Sequence, residues 1–244
     1  MPQNIYDNPQ FFEGYQAIRN RPANFNTLLE NPAILSLLPD LTQKSILDIG
    51  CGAGDFANYC VKQGAQFVQG VDVSEKMLAM AKERFSYTNL QFQQCPMEQL
   101  NVLKNEFDII VSSLAIHYTN EYQRVIEQCF KGLKTDGHLI MSMQHPIYTA
   151  SMGRDAWMKN EQGQITGYEV SNYFHEGLRK EDWLVEGVEM YHRTISTVIN
   201  TVIQAGFTLL KIVEPYPTDE ATKMYPALLK IQQAPAFFIL HAKK

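Results

Sequence analysis

Ten residues constrain this chain more than any others: Ile46-Leu-Asp-Ile-Gly-Cys-Gly-Ala-Gly-Asp55. An apolar run ends in glycines at alternate positions and passes straight into a helical pattern. Glycine adopts positive φ at no steric cost and lets a ligand approach the backbone closely. A strand, a glycine turn and a helix in that order are the context a nucleotide-binding βα unit requires, the alternative being a structural glycine turn. Asp72 ends the next apolar run, and a carboxylate there accepts hydrogen bonds from both hydroxyls of a ribose.

The third position of the turn selects among nucleotides. A dinucleotide fingerprint places glycine where this chain has Asp55, so that a pyrophosphate rests on the helix N-terminus. A carboxylate repels that group and is expected to cap the helix instead. The loop therefore suits a nucleoside without phosphates, such as S-adenosylmethionine. An NAD-dependent oxidoreductase is the competing enzyme reading, and Asp55 counts against it.

Short apolar strands alternate with helical patterns through the middle of the chain. Strands are expected at Ser45–Ile49, Gln66–Val71, Leu90–Phe92, Phe107–Ser112 and His138–Met143. Helices are expected at Asp55–Gln63, Ser74–Phe85 and Glu121–Gly132. Such alternation gives an α/β fold with a doubly wound, Rossmann-like parallel sheet covered on both faces. Residues 1–44 read as an N-terminal helical cap, 45–144 as a cofactor-binding core, 145–190 as a substrate lid, and 191–244 as a closing helix and strand pair, all in one domain. Ser74 and Thr194 are the expected N-caps of their helices.

Composition removes other classes. Hydrophobic residues make up 45% and charged residues 19%, enough for a core and against bulk disorder. The formal charge of −5 is a poor match for a phosphate backbone, so no nucleic-acid partner is expected. No apolar run approaches the roughly 18 residues of a membrane helix, and no signal peptide is visible. Cys51, Cys60, Cys95 and Cys129 form no C-x-x-C pair, which fits a reducing, cytoplasmic setting and offers no metal site.

Leu47-Asp-Ile-Gly-Cys-Gly-Ala-Gly54, Gly70-Val-Asp-Val-Ser74, Phe107-Asp-Ile-Ile-Val-Ser112 and Leu133-Lys-Thr-Asp-Gly137 together resemble the class I S-adenosylmethionine-dependent methyltransferases. The resemblance implies a seven-stranded sheet with its last strand antiparallel. It puts Gly50, Cys51 and Gly52 beside the donor's amino-acid tail, Asp72 on the ribose, and Val73 and Met77 near the adenine. Met97 would offer its N–H to the adenine ring, and Ser112 would lie under the sulfonium. Pro96 replaces the acid that family members often carry there. Phe11-Phe-Glu-Gly-Tyr15 with Arg19, Ser171-Asn-Tyr-Phe-His-Glu-Gly177 and Tyr191-His-Arg-Thr194 are similar to a subset of small bacterial small-molecule methyltransferases. In that subset the leading helix closes over the donor, so that Arg19 meets the donor carboxylate and Tyr15 borders the methyl group.

His117 and His145 follow the fourth and fifth strands, at the edge where open α/β sheets hold ligands. Each is a candidate base. Tyr173 and His192 are candidate acceptor contacts. Charges in the second lid are mixed: Glu169, Glu176, Glu181 and Asp182 against Arg154, Lys159, Arg179 and Lys180. The expected activity is methyl transfer from S-adenosylmethionine to oxygen or nitrogen of a small molecule by a monomer or homodimer. A donor-binding module without catalysis, or a partner subunit, is the alternative.

Overall fold

The computed structural model describes residues 3–151 and 156–244; Arg154 of the second lid falls outside them. A 3₁₀ turn at Ile5–Asp7 leads into α1 (Pro9–Arg19), a π-helical turn at Asn26–Glu30 and α2 (Asn31–Leu37). Asn8 starts α1, its side chain accepting from the Phe11 N–H at 3.1 Å ahead of Pro9. Then β1 (Ser45–Ile49), α3 (Asp55–Lys62), β2 (Phe67–Asp72), α4 (Glu75–Arg84), β3 (Leu90–Gln94), β4 (Phe107–Ser112), α5 (Tyr122–Gly132) and β5 (Leu133–Gln144) alternate. A short α6 (Pro146–Ala150) precedes two antiparallel hairpins, β6 (Trp157–Lys159) with β7 (Ile165–Tyr168) and β8 (Gly177–Trp183) with β9 (Val185–His192). The chain closes with α7 (Ile195–Gln204), β10 (Thr208–Val213), α8 (Asp219–Met224), a 3₁₀ segment Pro226–Gln232 and β11 (Phe237–Lys243).

The main sheet has seven strands in the order β10-β11-β5-β4-β1-β2-β3. Strands β1 to β5 pair in parallel, and β11 lies antiparallel to both β5 and β10. Strand order reverses between β1 and β4, which is where doubly wound sheets open a crevice at their carboxyl ends. Alternate residues serve two cores. Leu47, Ile110, Leu139 and Leu240 pack under α5 and α7, with Val125, Ile126, Val198 and Val202. Ile46, Ile109, Ile140 and Ile239 face the other way, against Ile34, Leu37, Ala57 and Cys60. Burial of each such side chain contributes about 1.5–3 kcal/mol.

Three local outcomes bear on the site. Ser74 and Thr194 do cap α4 and α7, accepting from the N–H groups of Met77 and Thr197. Asp55 does not cap α3, contrary to expectation. Gly54 holds the N-cap position with φ of 80°, and Asp55, one place inside the helix, turns outward to Arg84 at 2.5 Å. Lastly, the proline-rich stretch between Pro215 and Pro235 is not a bare linker but carries α8 and the 3₁₀ segment.

Gly50 has φ of +75°, and a Cβ on it would stand 2.3 Å from the Cβ of Ala115 in the loop after β4. At Gly52, φ is +52° and a Cβ would meet nothing within 4 Å. Both alanine variants carry the left-handed cost of about 1–2 kcal/mol, but only Gly50→Ala must also push that loop aside. Urea unfolding should rank Gly50→Ala as the more destabilised; equal losses would show that the loop does not press on the turn.

Candidate active site

The carboxyl ends of β1, β2 and β4 open into a cleft of about 1230 Å³. From β1 and its turn come Asp48, Gly50, Cys51 and Gly52; from β2 and α4 come Asp72, Val73 and Met77. Pro96 and Met97 close one flank after β3, and His117 enters from the 3₁₀ turn Ile116–Tyr118 after β4. Tyr15 and Arg19 reach the cleft from α1, one helical turn apart. Eleven of the residues singled out from sequence thus border one space: Tyr15, Arg19, Gly50, Cys51, Gly52, Asp72, Val73, Met77, Pro96, Met97 and His117.

The others lie off it. Ser112 is buried under the cleft floor, and its hydroxyl has no hydrogen-bond partner. His145 is fully buried and caps α6: Nδ1 accepts from the Ile147 N–H at 3.1 Å, and Nε2 meets Glu214 at 2.8 Å. His192 is held between Thr149 Oγ1, 2.7 Å from Nδ1, and the Tyr173 carbonyl, 2.8 Å from Nε2. The Tyr173 hydroxyl accepts from the Ile195 N–H at 3.0 Å, at the start of α7. His192 and Tyr173 thus tie the second hairpin and the loop before it to α6 and α7, and His145 ties α6 to the segment after β10.

Asp72 is anchored by the turn it faces. Oδ2 accepts from the Gly52 N–H at 2.8 Å and Oδ1 from the Ser74 N–H at 2.9 Å. Burial raises its pKa while those N–H groups hold it down. His117 is buried, its Nδ1 has no partner, and desolvation with help from Arg193 lowers its pKa to about 3. The ring is therefore neutral at physiological pH.

Several site residues were not foreseen. Asp48 borders the cleft at 2% exposure, with Oδ2 unpartnered and its pKa raised to about 8 by burial and by Asp72. An acid inside the apolar run Ile46–Ile49 was the available signal. Tyr6 and Tyr118 also border the cleft, with Tyr6 packed edge-on to Tyr15 at 5.1 Å; Trp183, which the aromatic content of the second lid did point to, borders it as well, edge-on to Phe11 at 5.2 Å. Beneath the loop after β4, Glu30 accepts from the hydroxyls of Ser113 and Ser142 at 2.8 and 2.5 Å. Among the described residues no group of three or more His, Cys, Asp or Glu side chains could hold a metal ion, and no helix is long and apolar enough to cross a membrane.

Asp48 makes a stability prediction with a definite sign. An acid whose folded pKa is raised binds a proton that the unfolded chain has released, so the associated stability is lost as pH rises through about 8. Below about 6.5 the buried His117, lowered to about 3, acts with the opposite slope. In the window from 6.5 to 8 the ligand-free protein should lose stability on the order of 1 kcal/mol. Asp48→Asn should flatten that slope in denaturant titrations; an unchanged slope would remove Asp48 as its source.

Residues 46–137 match the family model described as a methyltransferase domain. A protein of Haemophilus influenzae is 35% identical, across 98% of this chain and 96% of its own length. The crystal structure of an S-adenosylmethionine-dependent methyltransferase from Mesorhizobium loti is 34% identical, with a TM-score of 0.83 over 88% of this chain and 97% of that one. A ubiquinone biosynthesis O-methyltransferase of Neisseria meningitidis is 25% identical, over 57% of this chain and 68% of its own. A glycine turn beside a strand-end acid is common to many nucleotide folds, but near-complete likeness to a solved enzyme narrows it to one: the chain belongs to the S-adenosylmethionine-dependent methyltransferases, with S-adenosylmethionine as co-substrate.

Proposed function

We propose that this methyltransferase acts on oxygen or nitrogen of a small-molecule acceptor held in the same cleft as the donor. The carrying observation is size. A drug-sized ligand occupies a pocket of about 300–1,000 Å³, and this cleft of about 1230 Å³ leaves space beside a donor. Aromatic walls support a flat or amphipathic acceptor: Tyr148, Trp157 and Tyr168 border the cleft with ring centres 4.7 to 5.6 Å apart. The likeness to a ubiquinone biosynthesis O-methyltransferase supports oxygen as one candidate atom. On this reading residues 1–44 and 145–190 control access from two sides.

The residues present fit the donor. Asp72 retains lone pairs for ribose hydroxyls, and the buried, unpartnered Oδ2 of Asp48 with the Gly50–Gly52 turn suits the ammonium of an amino-acid tail. Val73, Met77 and Met97 offer apolar surface to adenine, and Arg19 offers a counter-charge to the tail carboxylate. When bound, S-adenosylmethionine supplies an activated methyl group. The protein's task is then alignment and exclusion of water, and holding two reactants in line can contribute about 7–11 kcal/mol. His117 is a neutral hydrogen-bond partner for the acceptor's O–H or N–H.

Calorimetry should show binding of S-adenosylmethionine and S-adenosylhomocysteine, and Asp72→Ala should weaken both roughly 10–100-fold, since bonds to a charged group contribute about 1.5–3 kcal/mol. Radiolabelled methyl transfer should then be screened over phenols, carboxylic acids and amines. Label appearing only in RNA or protein would overturn the acceptor class. With an acceptor in hand, His117→Ala should cut kcat by about 10²–10⁴-fold and leave the donor Kd within about twofold; an unchanged kcat would remove the base role.

A further inference from the structure

The first described residues form a strap across the cleft, which Gln3, Ile5 and Tyr6 border. Both ends are fastened. At one end the Gln3 side chain bonds twice to the β8–β9 hairpin: Nε2 donates to the Gly187 carbonyl at 3.0 Å, and Oε1 accepts from the Glu189 N–H at 2.9 Å. At the other end Asp7 docks on the first turn of α4. Its Oδ1 accepts from the Ser74 hydroxyl at 2.5 Å and the Lys76 N–H at 3.1 Å, and its Oδ2 accepts from the Glu75 N–H at 3.2 Å. Asn4 reinforces this end, with Nδ2 2.6 Å from Asp7 Oδ2 and 3.3 Å from the Val73 carbonyl.

This docking is more than surface contact. A helix leaves its first N–H groups without partners. Ser74 satisfies the N–H of Met77, and Asp7 takes those of Glu75 and Lys76, so α4 has a second cap supplied from the far end of the chain. The carboxylate is also favoured by the positive end of the helix dipole, and those bonds hold its pKa below the usual range. Ser74 in turn donates its N–H to Asp72. An unbroken path of hydrogen bonds therefore runs from the strap through Ser74 to the acid at the end of β2.

We propose that Asp7 is a positioning residue for the donor: it clamps the turn that carries Asp72 and Val73, and it keeps the strap fastened over the donor end, so that donor exchange requires this clamp to open. The proposal rests on the reading of Asp72 as the ribose acid. It makes the strap a shared element, since the same few residues touch the turn beside Asp72 and the β8–β9 hairpin, whose Glu181, Asp182 and Trp183 border the cleft. Opening for donor release then disturbs both sides of the cleft.

The test uses the full chain, with S-adenosylhomocysteine as probe and stopped-flow tryptophan fluorescence as readout. Trp183 is a suitable reporter, packed on Phe11 and Tyr15, which in turn hold Tyr6 of the strap. Asp7→Ala is expected to speed probe release about tenfold or more, and Asp7→Asn, which keeps one acceptor oxygen, to restore part of the difference. Gln3→Ala acts at the opposite end on an exposed residue; it should speed release about threefold with an unchanged melting temperature. Release within twofold of wild type in both Gln3→Ala and folded Asp7→Ala or Asp7→Asn would overturn the clamp, even if Asp7 variants melt earlier. Absence of probe binding to the wild-type protein would instead overturn the donor reading, and the clamp with it.

Discussion

The turn after β1 is stitched to the end of β2, and the site depends on that seam. The N–H groups of Gly50 and Cys51 both donate to the Val71 carbonyl, at 2.8 and 3.0 Å, and the N–H of Gly52 donates to Asp72 at 2.8 Å. Three successive amides can point one way only if the chain passes through positive φ, which Gly50 and Gly52 supply. The seam fixes the distance between the glycine turn and the strand-end acid before any ligand arrives. Pre-organisation of this kind lowers the ordering cost of binding.

The same seam brings two acids together. Burial disfavours ionisation of both acids, and Asp72 adds to the effect on Asp48. Asp48 has one oxygen with no protein partner. A buried polar group left in that condition costs free energy. On the donor placement proposed above, a ligand bearing an ammonium and a sulfonium would relieve that cost when it binds. Arg19, at the other rim of the cleft, brings a positive charge to the same space.

How much of this was legible follows from the range of the interactions concerned. Strands β1, β2 and β4 are legible because both faces are covered, so apolar residues run together instead of strictly alternating with polar ones. Ser74 and Thr194 are local caps, readable from the next three residues. The segment 145–190 was opaque because its strands are half exposed and charged. Gly177–Trp183 contains four consecutive charged residues, and its order comes from partners across the hairpin, such as Lys180 with Glu189 at 3.0 Å. His117 and His145, each following a strand, were indistinguishable by position, and His192 before the last helix was read as an acceptor contact. Only the fold shows that His145 and His192 spend both ring nitrogens on structural partners, whereas His117 borders the cleft. Asp7 and Glu30 gave no signal at all, since their partners stand tens of residues away.

Those two acids show that the N-terminal segment does more than cover the site. Leu114, in the loop after β4, is held at φ of 49°, a conformation a leucine adopts only when its surroundings impose it. Its N–H donates to the Ser142 hydroxyl at 2.9 Å, and that hydroxyl donates to Glu30, as does Ser113 from the same loop. Glu30 thereby braces from below the loop that presents Ala115 to Gly50 and His117 to the cleft. Asp7 braces the opposite wall through α4. Residues 3–37 therefore reach both walls that the sheet leaves at its switch point, and each acid acts on backbone amides or hydroxyls of a turn rather than on a ligand. A chain deprived of this segment would keep its glycine turn and Asp72 but lose what holds both adjoining loops in register. The sheet forms the cleft, and the N-terminal segment braces the loops on either side of it.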